Sequence, residues 1–141
     1  MPEEQNKTAN GFDILEIPKE NLLETVGNLK TDVNIQFDVL ISVSGVDKAE
    51  CFEAVYHLFS SITNKNLIVK VKLDKKSPVV DTLSNIFSAA NWHERETYDL
   101  FGIEFNGHPN LERILLPKDW IGYPLRKDYV NDDERLVWNE R

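Results

Sequence analysis

Two imidazoles and three carboxylates crowd one short stretch of the chain, His93, Glu94, Glu96 and Asp99 followed by His108. Residues of these types can exchange protons with a substrate, and one reading makes Glu94, Glu96, Asp99 and His108 the acid-base groups of a free-standing hydrolase. The spacing argues against a metal: His-Glu-Arg-Glu is not the pair of histidines one helical turn apart that binds catalytic zinc. On a helix Arg95 and Asp99 lie four apart and can pair, while Glu96 and Asp99, three apart, share a neighbouring face. The reading that fits the residue types best is structural. These charges are expected to pair with Arg113, Arg126 and Lys127 and to fix an irregular segment against the helix and against partners.

The elements that position these residues lie within residues 91–129, where charged, aromatic, glycine and proline residues interleave. Asn91 with Glu94 reads as a capping box, which starts a helix at Trp92, and Gly102 is its C-terminal stop. Asn106-Gly107 predicts a tight turn joining residues 103–105 to 113–116 as a hairpin. His-Pro, Leu-Pro and Tyr-Pro breaks follow, and a long irregular run built from Trp, Tyr and Leu is functional rather than a linker. Pro124 stiffens the backbone ahead of Arg126, whose target is an acidic group such as Glu94 or Glu96, or one on a neighbouring chain. Trp92, Trp120, Tyr123, Tyr129 and Trp138 are candidate interface anchors.

Upstream, residues 1–12 are polar and expected to be mobile. Leu22, Leu23, Val26 and Leu29 recur at helical spacing after Pro18. Val33, Ile35, Phe37, Val39, Ile41 and Val43 alternate with polar residues as a strand with one buried face. Residues 51–59 read as a strand paired, across a turn at 63–66, with Leu67, Val69, Val71 and Leu73. Their intervening lysines form a solvated or edge-protecting face. Ser77-Pro78 predicts a second amphipathic helix carrying Val79, Leu83, Ile86, Phe87 and Ala90. Continued unbroken, that stripe would bring Glu94 onto the apolar face, where a carboxylate needs a partner; the Asn91 cap relieves this. The expected fold is α+β and two-layered, a largely antiparallel sheet covered by helices and an ordered irregular C-terminal segment. Residues 1–141 read as a single domain, with 130–141 a tail.

A net charge of -8 and a pI near 4.9 exclude free nucleic acid as an expected partner, because phosphate binding needs a basic surface. The single Cys51 holds neither a disulfide nor a cluster. No nucleotide-binding fingerprint and no apolar run of membrane-spanning length occurs, and the first residues are neither a secretory signal nor a transit peptide. The chain is expected to stay in the compartment where it is made and to hold no cofactor.

Three motifs, ERETYDLFGIEF, GHPNLERILLP and GYPLRKDY, resemble the signature of the 30 kDa subunit family of proton-pumping NADH-quinone oxidoreductase, respiratory complex I. The resemblance is close over residues 92–129 and loose over 37–73. It implies a peripheral-arm structural subunit abutting the quinone-site subunit and the terminal iron-sulfur cluster subunit. FMN, iron-sulfur clusters and quinone would then lie on partner subunits. Electron transfer from NADH to quinone, coupled to proton translocation, would belong to the assembly. The implied location is peripheral, on the cytoplasmic face of the bacterial inner membrane. Glu94, Arg95, Glu96, Asp99, His108, Arg113, Trp120, Arg126, Lys127 and Tyr129 are the partner-interface candidates. A related F420-linked, photosynthetic-type or membrane-bound hydrogenase complex is the alternative assembly.

Overall fold

The computed structural model describes residues 6–9, 12–117 and 119–127. Strands β1 (Asn6–Ala9) and β2 (Phe12–Ile17) precede a 3-10 turn at Lys19–Asn21 and helix α1 (Leu22–Thr31). Strands β3 (Val39–Asp47), β4 (Phe52–Ser60) and β5 (Lys65–Leu73) follow, then β6 (Val79–Asp81), α2 (Ala90–Phe101) and β7 (Glu104–Asn106). The main sheet runs β1-β2-β5-β4-β3, and all its pairings are antiparallel except β2 with β5. A sheet with helices is the α+β class expected, although β1 and β2 lie upstream of any strand read from the sequence.

Periodicity explains the elements that form where expected. Leu22 and Val26, one turn apart on α1, are fully buried, while Leu23 faces solvent. The β4–β5 hairpin pairs Phe52 with Leu73 through Ser60 with Lys65, and Asn64 takes the left-handed conformation in its turn. Ala54, Tyr56, Leu58, Leu67, Val69, Val71 and Leu73 join Leu22, Val26 and Phe101 in a single apolar cluster. Lys70 and Lys72 fall on the opposite face, as the alternation predicts.

Three expectations fail, each for a local reason. The strand read from Val33 begins only at Val39, because Asp32 organises a turn: its side chain accepts the Asn34 N–H at 2.9 Å and its carbonyl accepts the Gln36 N–H at 2.8 Å. A register shift between Leu40 and Ser42 then buries Leu40 and Val43 and turns Val39 and Ile41 outward. The helix predicted after Ser77-Pro78 is absent; Val79–Asp81 instead forms β6, parallel to β7, and turns lead to α2. Leu83, Phe87 and Ala90 are nonetheless buried, so their apolar spacing marks the core without marking a helix. β7 takes β6 as its partner, not residues 113–116, and the Asn106-Gly107 hairpin is not formed.

Helix α2 lies against β3, where the Thr97 hydroxyl is 3.2 Å from the Val43 carbonyl. Gly45 is needed there, because a Cβ would come within 2.8 Å of the Phe101 ring. Phe101 in turn meets Phe52 edge-on at 6.3 Å.

Candidate functional site: helix α2 and the loop wrapped on it

Helix α2 begins at Ala90, within two residues of the start expected at Trp92, but Asn91 is not its cap. Its N-cap is Ala89, without a side-chain cap, and Asn91 reaches toward the Asn110 side chain from inside the first turn. A start so close to the expected one does not move Glu94 off the apolar face, and it is fully buried. Its partners come from the chain between β6 and α2: the Thr82 hydroxyl donates to Oε1 at 2.5 Å and the Leu83 N–H donates to Oε2 at 2.8 Å. Burial raises its pKa from 4.5 to about 7, against the opposing pull of the Leu83 and Thr82 donors. The Tyr56 hydroxyl, buried without a hydrogen-bond partner among the described residues, is pushed well above its ordinary value by burial and then by the Glu94 and Asp81 carboxylates.

His108 is not a catalytic partner for Glu94. Its Nε2 lies 3.0 Å from the Asn91 carbonyl, which can only accept, so Nε2 carries the proton. Nδ1 accepts the Asn110 N–H at 3.1 Å. Both nitrogens of a neutral ring are thereby used, and the 3.9 Å separation from Glu94 is too long for a hydrogen bond.

Asp99 anchors the wrapping loop. Its Oδ1 receives Arg113 Nη1 at 2.7 Å, and its Oδ2 accepts three consecutive backbone N–H groups, Ile114, Leu115 and Leu116, at 3.0, 2.6 and 3.1 Å. Arg113 also donates to the carbonyls of Asp99 and Gly122 and stacks 4.9 Å from the Tyr123 ring centroid. Fully buried and holding four donors, this carboxylate is an anchor out of reach of a substrate. The expected pairing of Arg113 with a helix carboxylate is thus made. The Arg95–Asp99 pair is not: Arg95 donates to the Glu112 carbonyl and covers Trp92. Glu96 lies 3.8 Å from His93 and remains partly exposed.

At the other end of α2, Gly102 takes φ +80° and stops the helix as predicted. A Cβ there would strike Tyr123 and Arg126. Arg126 does not reach Glu94 or Glu96; its Nε donates at 2.6 Å to the Phe101 carbonyl, and the guanidinium lies 4.8 Å from both the Phe52 and Tyr123 ring centroids. The Lys127 contribution is its backbone N–H, given to Asp47 Oδ2 at 2.7 Å, while Lys75 takes Oδ1 at 2.8 Å. These two donors hold the Asp47 carboxyl below its usual range. Trp120 is buried, and Tyr129 and Trp138 lie outside the described residues.

The arrangement therefore consumes Glu94, Asp99, His108, Arg113 and Arg126 internally, and none of these carboxylates or imidazoles stands free as a base. Among the described residues no group of His, Cys, Asp and Glu could hold a metal ion. Among the polar residues that the segment leaves outside stand four large apolar side chains, Trp92, Leu115, Ile121 and Leu125, with Ile121 89% exposed. Sequence reasoning names only Trp92 among these four, because Leu115, Ile121 and Leu125 lie in an irregular run broken by proline and glycine, with no periodicity from which to read a face.

Comparison with known proteins agrees with this picture. The family model described as the respiratory-chain NADH dehydrogenase 30 Kd subunit matches residues 15–135. The NADH-quinone oxidoreductase C subunit of Roseiflexus sp. (strain RS-1) is 45% identical over 122 residues, which cover 84% of this chain and 70% of that protein. The longer C/D subunit of Methylococcus capsulatus is 36% identical over 135 residues, 89% of this chain but only 23% of that protein. In structure, the trypsin-resistant fragment 1-134 of Nqo5 superposes with a TM-score of 0.69 at 29% identity, over 77% of this chain and 89% of the fragment. A chain from the membrane-bound sulfane sulfur reductase, an archaeal respiratory membrane complex, gives 0.73 at 24% identity over 92% of this chain and 78% of that one, a likeness of fold. On the match of family model, relatives and fold, this chain belongs to the 30 kDa subunit family of the respiratory-chain NADH dehydrogenase.

Proposed function

We propose that the chain serves as a structural subunit of the peripheral arm of an NADH-quinone oxidoreductase, contributing contacts and no redox chemistry of its own. The observation that carries this reading is the division of labour in residues 91–127. Buried charges there fasten the loop to α2, and the large apolar side chains Leu115, Ile121 and Leu125 stay exposed, as does Trp92. Exposed apolar groups held on a rigid support are what docking against another protein requires. Arg95 and Glu96, at the rim of this surface, and the Lys127 side chain are the interface candidates left available. The partners on this reading are the quinone-site subunit and the terminal iron-sulfur cluster subunit, which with other subunits carry FMN, clusters and quinone. The location is peripheral at the cytoplasmic face of a bacterial inner membrane, and among the described residues no helix is long and apolar enough to cross a membrane.

The hydrolase reading loses its geometry, since Glu94 and Asp99 are fully buried and, like His108, engaged by partners inside the chain. Affinity purification from solubilised membranes tests the proposal. Stoichiometric recovery of subunits carrying flavin and iron-sulfur clusters is expected, and recovery of the chain alone from gently solubilised membranes would contradict it.

A further inference from the structure

On the sheet face away from Ala54 and Tyr56, a pocket of about 460 Å³ opens where β2, β4 and β5 come together. Pro18 and the end of β2 at Ile17 form part of its wall, and Glu16, Glu20, Glu53 and Asp74 bring four carboxylates to it against the three ammonium groups of Lys19, Lys70 and Lys72. Glu53 is the unusual member. It is 1% exposed, and among the described residues neither of its carboxylate oxygens has a hydrogen-bond donor. Lys48 Nζ lies 3.3 Å from Oε2 but outside hydrogen-bonding geometry, on a side chain that is about half exposed. Lys72 stands opposite Glu53 in the strand register and Lys70 opposite Glu16, yet neither ammonium forms an ion pair among the described residues. Lys19 is turned toward the Val79 carbonyl.

A desolvated carboxylate without donors is unfavourable, and buried acceptors in native proteins are normally satisfied. The missing group must donate more than one hydrogen bond, carry positive charge and bring an apolar stem along Pro18. A guanidinium meets all three conditions and matches a carboxylate with two parallel N–H donors. We infer that this pocket receives an arginine side chain from a partner protein, with Glu53 as its acceptor. The inference rests on the reading of the chain as a subunit of an assembly.

The full-length chain titrated with N-acetylarginine methylamide tests the pocket without the assembly. Amide resonances of Ile17, Glu53 and Lys72 should shift, and Glu53→Gln should weaken binding at least tenfold. The corresponding N-acetylaspartate amide should leave those resonances unmoved. Glu16→Gln, at the pocket wall, gives a second variant with a smaller loss. Absence of shifts, shifts that persist in Glu53→Gln, or binding of the aspartate probe instead would overturn the inference. In membranes, Glu53→Gln should lower the salt concentration at which the subunit is released. Release at the wild-type salt concentration, with probe binding intact in the wild type, would overturn the assignment to a partner protein while leaving the subunit reading standing.

Discussion

Glu94 shows how a residue can be visible in a sequence and still be misplaced. The apolar stripe through Leu83, Phe87 and Ala90 leads directly to it, and capping by Asn91 is the locally obvious way to keep a carboxylate out of the core. The chain instead supplies Thr82 and Leu83 as donors, two groups with no signature of their own in the sequence. The consequence is measurable. Because the folded-state pKa of about 7 lies above the 4.5 of an ordinary Glu, its protonated form is favoured by folding. Its contribution to stability is full below pH 4.5 and is lost as the pH rises through about 7. The loss amounts to about 3 kcal/mol at one pKa unit per 1.36 kcal/mol. Glu94→Gln keeps the shape without the charge. Its melting temperature should match the wild type near pH 4.5 and exceed it at pH 8; equal differences at both values would remove Glu94 from this role. Arg126 lies at the same scale. It donates to the last carbonyl of α2 and lies over two aromatic rings, so Arg126→Ala should destabilise the isolated chain by about 1 to 3 kcal/mol in denaturant unfolding. Arg126→Lys should recover only part of that loss, and unchanged midpoints for both variants would show the contact to be idle.

At the scale of elements, α2 and its wrapping loop behave as one unit because Asp99 joins them. Four donors converge on its carboxylate, and they come from Arg113 and three neighbouring amides of the loop. Removing the charge partner strands a buried carboxylate, so Arg113→Ala should cost about 3 to 5 kcal/mol. It should also raise the rate of proteolytic cleavage in residues 107–127 more than elsewhere. Cleavage spread evenly over the chain would mean that the loop is held by other contacts. How much of this is legible in the sequence follows from what each element depends on. The α1 stripe, the β4–β5 hairpin and the Gly102 stop are specified locally, by periodicity and by a positive φ that glycine adopts freely. The late start of β3 depends on the Asp32 side chain bonding its own backbone, and the burial of Leu40 on an irregularity that reverses the parity of the strand. β6 forms in place of a helix because β7, far along the chain, offers a partner. The acidic and basic residues of the site are identifiable by type, but which of them meet is decided by the path of the loop.

For the whole molecule, the central claim is that residues 91–127 fold on themselves with their charges and dock with their apolar groups. Docking through a surface patch predicts peripheral behaviour, in which chaotrope releases the chain from membranes without detergent; a requirement for detergent would contradict it. The direct measurement pairs stability with assembly for the exposed residues. Leu115→Asp, Ile121→Asp and Leu125→Asp variants are made in the full chain, and each is followed by thermal melting of the purified protein and by native-gel incorporation into membrane complexes. Ile121 is almost wholly in water and Leu115 and Leu125 are about half so, and surface substitutions away from special features usually change stability by about 0.5 kcal/mol or less. The account predicts melting temperatures within about 2 °C of wild type, together with a loss of most of the assembled complex for at least two of the three. Normal incorporation of all three stably folded variants would contradict it.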